Sequence, residues 1–139
     1  MTLSIPFEQF PVIIKAGSVF DPVRKKWLLI TPEELVRQHL LQYFLLEKAF
    51  PAALIKLEHP LMINTLQKRS DMVVYSREGK PFMLIECKAP EVKLNEDTLM
   101  QILRYNIKLN APYLVLCNGL RTLCFHNGKP SDIPHFNDL

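Results

Sequence analysis

What is missing from this chain narrows what it can be. No apolar run approaches the ~20 residues that a membrane-spanning helix needs, so none is expected. The opening residues, Met1-Thr2-Leu3-Ser4-Ile5-Pro6, show no basic region leading into a long apolar core; no signal peptide is read, and cytoplasm is the expected location. Cysteine is scarce, and Cys87, Cys117 and Cys124 include no Cys-x-x-Cys pair. That spacing argues against a zinc site or a disulfide framework and for buried free thiols. His39, His59, His126 and His135 are scattered without ligand spacing. There is no Gly-x-x-x-x-Gly-Lys-Ser/Thr loop, which excludes a P-loop motor, and no helix-turn-helix or zinc-finger pattern for reading bases.

What is present is the composition of an ordinary globular domain: 139 residues, 48% hydrophobic and 22% charged. One domain over 1–139 is expected, with an extended arm over 1–17 and an irregular tail over 127–139. A net charge of +3 permits nucleic-acid binding without demanding it. Basic residues cluster at Arg24-Lys25-Lys26, as a solvated turn or a phosphate contact, and at Lys68-Arg69, where phosphate contact is favoured by position.

Chemistry concentrates between Ser70 and Lys88. Residues 71–76 and 82–88 read as two strands around a turn at Glu78-Gly79. Antiparallel pairing about that turn sets opposite each other residues whose numbers sum to 157, so Asp71 faces Glu86. Lys88, two residues past Glu86, shares its face. Facing carboxylates on paired strands repel. Lys88 offers one counter-charge, as a plain strand-end salt bridge, and a hard cation would offer more.

The rest of the chain frames this hairpin. Val19-Phe20 and Trp27–Ile30 suggest a small hairpin with a basic turn. Thr31 suits an N-cap, Pro32 the first helical position and Glu34 the reciprocal capping-box position. Apolar residues at 35, 36, 40, 44 and 45 then carry a helix to about Ala49. A strand from Ala52 ends near Glu58, and Asn64–Arg69 reads as a polar approach to the hairpin. A second helix spans about Asn95–Leu109, with Leu99, Ile102, Leu103 and Ile107 as its core face and Gln101 and Tyr105 on another. Tyr113–Cys117 is a buried strand, parallel to 82–88 through a right-handed crossover. Asn118-Gly119 signals a hairpin returning through 121–125. The reading is α/β: a mixed sheet flanked by helices, in the order α-β-β-β-α-β-β.

Asp71 followed by Glu86-Cys87-Lys88 after an apolar run resembles the PD-(D/E)xK nuclease superfamily, and within it the N-terminal nuclease domain of type I restriction enzyme R subunits. The likeness spans roughly Lys26 to Phe125; Ser70 stands where the motif's name has proline, a residue that supplies no metal ligand. Gln101 and Tyr105, just past Lys88, resemble the Gln-x-x-x-Tyr motif of RecB-like nucleases. The resemblance implies a restriction-endonuclease-like fold and a magnesium- or manganese-dependent nuclease, with DNA as partner, RNA as a further substrate class, and companion restriction or motor subunits. Asp71, Glu86 and Lys88 would be the catalytic set. Asp71, Glu86 and the Cys87 carbonyl would be metal ligands, with Glu34 either joining them or serving as a helix cap. Gln101, Tyr105, Lys68 and Arg69 would support or contact the nucleic acid. The competing reading is a non-catalytic module binding nucleic acid or protein on the same fold.

Overall fold

Thr31 starts the first helix as its sequence dictates: its hydroxyl accepts the Glu34 N–H at 3.0 Å, and Pro32 occupies the first turn. The computed structural model describes residues 2–63 and 66–139, and for 58–63 and 66–71 the backbone alone. A small antiparallel sheet precedes the helix: β1 (Ile14–Lys15), β2 (Ser18–Asp21) and β3 (Lys26–Leu29). The expected hairpin is there, and part of the supposed arm joins it as β1. Helix α1 (Pro32–Leu46) ends three residues short of Ala49. Ala49 is left-handed at φ 60°, and the Phe50 N–H reaches back to the Phe44 carbonyl, closing the helix before Pro51.

A short 3-10 turn over Ala52–Leu54 leads into β4 (Ile55–Ile63) and β5 (Leu66–Tyr75). Strand β4 thus begins later and ends later than its composition suggests, and Leu66–Arg69 belong to a strand, not to a polar approach; Asn64 lies outside the described residues. Backbone pairing of β4 with β5, from Ile55↔Val74 to Ile63↔Leu66, decides this. Strand β6 (Pro81–Cys87) returns against β5. Helix α2 (Glu96–Leu109) then crosses to β7 (Tyr113–Cys117), which lies parallel to β6. Strands β8 (Thr122–His126) and β9 (Lys129–Pro130) complete a six-stranded sheet in the order β4-β5-β6-β7-β8-β9. From α1 onward the core order is the expected α-β-β-β-α-β-β.

Two hairpins differ from expectation in their turns. Between β5 and β6 the loop is wider than Glu78-Gly79: the Ser76 N–H bonds the Lys80 carbonyl, and the register shifts at Val74/Tyr75. The bulge absorbs the extra residue, and Met72↔Ile85, Val73↔Leu84 and Val74↔Met83 keep the sum of 157. Between β7 and β8 the tight turn centres on Gly119-Leu120. The Asn118 N–H pairs with the Arg121 carbonyl, and Asn118 Oδ1 accepts from the N–H groups of Leu120 and Arg121.

The sheet carries a layer on each face. Val36, Leu40, Leu41 and Phe44 of α1 pack on Met72, Val74, Met83, Ile85, Val115 and Cys117. On the other face Ile102 and Tyr105 of α2 meet Val73, Leu84, Leu114 and Leu116. This corrects the expected core stripe: Leu103 is 39% and Ile107 78% exposed, while Ile102 and Tyr105 are buried. Apolar residues lie on two sides of this helix, and only the side turned to the sheet is covered. Beyond β9 the tail closes in a 3-10 turn over Phe136–Asp138, and Ile133 and Phe136 are buried against the α1 layer.

Candidate active site at the end of strand β6

Strand alternation assigns the residues of β6 to opposite layers. Met83, Ile85 and Cys87 join the α1 layer, whereas Leu84 joins the α2 layer, so Glu86 shares the α2 face. Cys87 is 1% exposed, and its side chain belongs to the core opposite Glu86. The Lys88 N–H donates to the Cys117 carbonyl at 2.8 Å, extending the β6–β7 pairing one residue beyond the strand before Pro90 turns the chain away.

At this strand end Lys88 Nζ lies 3.4 Å from Glu86 Oε1 and donates to Gln101 Oε1 at 3.2 Å. Glu86 is nearly buried and Lys88 about three-quarters so, which makes this a shielded ion pair, not a solvated one. Gln101 is held in the early turns of α2, whose start is a complete capping box. Asn95 Oδ1 accepts the Thr98 N–H, and Thr98 Oγ1 accepts the Asn95 N–H. Asn95 was legible as the cap, but Thr98 as its reciprocal partner was not. Tyr105, one turn after Gln101, is 7% exposed and packs with Ile102 on the sheet. The structure therefore joins Glu86, Lys88 and Gln101, and places Tyr105 in the core of the α2 layer. The expected facing of Asp71 and Glu86, like the phosphate contacts of Lys68 and Arg69, concerns side chains outside the described residues.

Glu34 belongs to a second polar cluster, on the α1 side. Its backbone takes the Thr31 cap, but its carboxylate does not close the capping box. Oε1 accepts from Arg37 at 3.2 Å and Oε2 from Gln38 Nε2 at 3.0 Å. The Gln38 amide also donates to Asp21 Oδ2 at 3.1 Å, so one buried amide bridges two carboxylates and ties β2 to α1. Asp21 further accepts from the N–H groups of Val23 and Arg24 and from Arg24 Nε. Burial alone would raise the Asp21 pKa; the bonds from Arg24 and Gln38 and the Arg24 charge outweigh it and hold the carboxyl below its usual 3.8. Sequence reading missed this cluster. Asp21 falls beside the small hairpin's basic turn with no motif of its own, and Gln38 is marked by nothing but its place four residues after Glu34.

Among the described residues no group of three or more His, Cys, Asp or Glu side chains converges. Burial pushes the Cys117 thiol up, and burial with the Asp132 charge pushes Cys124 to about 12, which disfavours a reactive thiolate at either. Also among those residues, no helix is long and apolar enough to cross a membrane. The chemistry available at the strand end is thus a shielded carboxylate, an ammonium beside it and an amide that orients the ammonium.

No curated protein matches the chain. Residues 32–139 match the family model for the type I restriction enzyme R protein N terminus, a span that runs from α1 through the tail and leaves out the β1–β3 sheet. With the mixed-sheet fold and the Glu86–Lys88–Gln101 cluster inside that span, the chain belongs to the type I restriction enzyme R protein N-terminal family.

Proposed function

We propose that this chain is a divalent-metal-dependent nuclease, a DNA endonuclease that hydrolyses phosphodiester bonds with magnesium or manganese. The observation that carries the reading is the Lys88 ammonium held between Glu86 and Gln101 at the end of β6. The donor chemistry fits a hard cation. Magnesium takes oxygen ligands and needs only one or two carboxylates from the protein, and a nearly buried Glu86 gains from a cation that offsets its desolvation. Asp71 would be the second carboxylate and the Cys87 carbonyl a further oxygen, whereas Glu34 spends its carboxylate on Arg37 and Gln38 on the α1 side. Bound there, the metal would lower the pKa of a water and offset charge on the phosphate.

The protein's own groups do the rest. Lys88 brings positive charge and N–H donors to the scissile phosphate or the attacking water, and Gln101 holds that side chain in place. Tyr105 supports the Gln101 turn from the core. Lys68 and Arg69, just before Asp71 in the chain, would meet the DNA backbone. Translocation would fall to other subunits of a restriction system, since this sequence has no P-loop.

The test is cleavage of supercoiled double-stranded and circular single-stranded DNA with magnesium or manganese, comparing the wild type with Glu86→Ala and Lys88→Ala. Metal-dependent nicking lost in both variants is the expected result. No cleavage by any of the three, with equal DNA binding, would replace the nuclease with a binding module.

A further inference from the structure

The β1–β3 sheet lies before the family-matched span, and the nuclease reading gives its outer face no task. Cross-strand partners share a face. Lys15 pairs with Ser18, Ser18 with Leu29, and Phe20 with Trp27, so Lys15, Phe20, Trp27 and Leu29 line one side. Val19 and Asp21, both 0% exposed, occupy the other. The outer side is not a core: Trp27 is 46% and Leu29 76% exposed. The Phe20 and Trp27 rings stand 5.2 Å apart, tilted at 60°.

Exposed charge on this sheet is of one sign. Between Gln9 and Pro32 the sequence has Lys15, Arg24, Lys25 and Lys26 against a single acid, Asp21. That acid is fully buried and held by Arg24 and Gln38, whereas Lys15, Lys25 and Lys26 are exposed. Lys15 sits at the Ser18↔Leu29 end of the strand pair and the basic turn at the Asp21↔Lys26 end, about 10 Å apart along the strand. An aromatic pair thus lies between two cationic ends, on a face with no acid to repel a polyanion. Such surfaces suit a polymer that carries flat π-systems and a negative backbone together.

We infer that this face binds single-stranded nucleic acid, with bases stacked on Trp27 and Phe20 and phosphates met by Lys15 at one end and by Lys25 of the basic turn at the other. The inference does not depend on cleavage at Glu86. It assigns the chain a second nucleic-acid surface, carried by the residues that precede α1.

Trp27 is the only tryptophan, so its emission reports on this face alone. The experiment titrates the whole chain with oligo(dT) in chelator, where no cleavage occurs. Saturable quenching of the emission is expected, unchanged in Glu86→Ala. By anisotropy of a labelled oligo(dT), Trp27→Leu should weaken binding about tenfold. The Lys15→Gln/Lys25→Gln variant, which keeps the fluorophore, should lower the slope of log affinity against log salt by ~1.4. Emission that does not change at saturating oligonucleotide would overturn the inference. So would equal quenching by duplex DNA, polyglutamate or phosphatidylglycerol vesicles, or oligo(dT) binding that survives both variants. Loss of nicking in Glu86→Ala with quenching intact would separate this surface from the proposed active site.

Discussion

Lys88 and Gln101 are joined by a hydrogen bond of 3.2 Å from ammonium to amide oxygen, linking the end of the central strand to the helix that crosses over it. The bond matters because a lysine stem has many rotamers, and an ammonium beside Glu86 is useful only where the reacting phosphate lies. In the proposed nuclease Gln101 would be a positioning residue, and its effect should appear in rate more than in stability.

Gln101→Leu is expected to slow metal-dependent nicking about tenfold, equivalent to ~1.4 kcal/mol. The melting temperature should stay within about 2 °C of wild type, since the residue is only partly buried. Gln101→Glu keeps an oxygen acceptor at the same place and should recover most of the rate. Single-turnover nicking of supercoiled DNA measures both. Equal loss in the two variants would contradict a positioning role.

Metal binding at the end of β6 should stabilise the fold. Manganese at 100 times its dissociation constant would add about 2.7 kcal/mol and raise the melting temperature by roughly 9 °C. Glu86→Ala and Asp71→Ala should each remove that rise. Thermal melts with and without manganese decide it, and a rise that persists in both variants would move the metal elsewhere.

Asp21 gives the stability a definite pH dependence. Its folded-state pKa lies below its ordinary 3.8, so its contribution is complete at neutral pH and is lost as the pH falls from that value through the folded one. Asp21→Asn keeps the shape but weakens the charge-assisted bonds from Arg24 and Gln38, at a cost of about 2 kcal/mol at pH 7. The difference between variant and wild type should shrink as the pH falls below 3.8. Urea unfolding at pH 7 and pH 3 tests this. A constant gap across that range would show that Asp21 is not the titrating group.

The two isoleucines of α2 should behave oppositely. Ile102→Ala opens a cavity against Leu84 and Val73 and should cost about 2–5 kcal/mol. Ile107→Ala, at a position 78% exposed, should change stability by less than ~0.5 kcal/mol. Chemical denaturation of both variants distinguishes the observed helix face from the alternative stripe through Leu103 and Ile107.

That stripe shows where local pattern stops being informative. Helix α2 has apolar residues on two sides, and periodicity counts them alike; the sheet covers one side only, and which one depends on the crossover from β6 to β7. The turns failed for a related reason. Asn118-Gly119 has the composition of a two-residue hairpin, but the Asn118 side chain is committed to the Val92 carbonyl and to the backbone of its own loop, which moves the turn one residue on.

Local pattern alone set the core order of elements from α1 to β8, the start of each helix and the parallel β6–β7 pair. These follow from capping chemistry, side-chain alternation and crossover handedness, all of which act over a few residues or a single connection. Only the tertiary structure decided that Lys88 meets Gln101 and that Tyr105 is core. It also decided that Glu34, Gln38 and Asp21 share one buried network. Those outcomes depend on how helices seat on a sheet, and a polar side chain takes as its partner whatever donor or acceptor the packing leaves within about 3 Å once water is excluded.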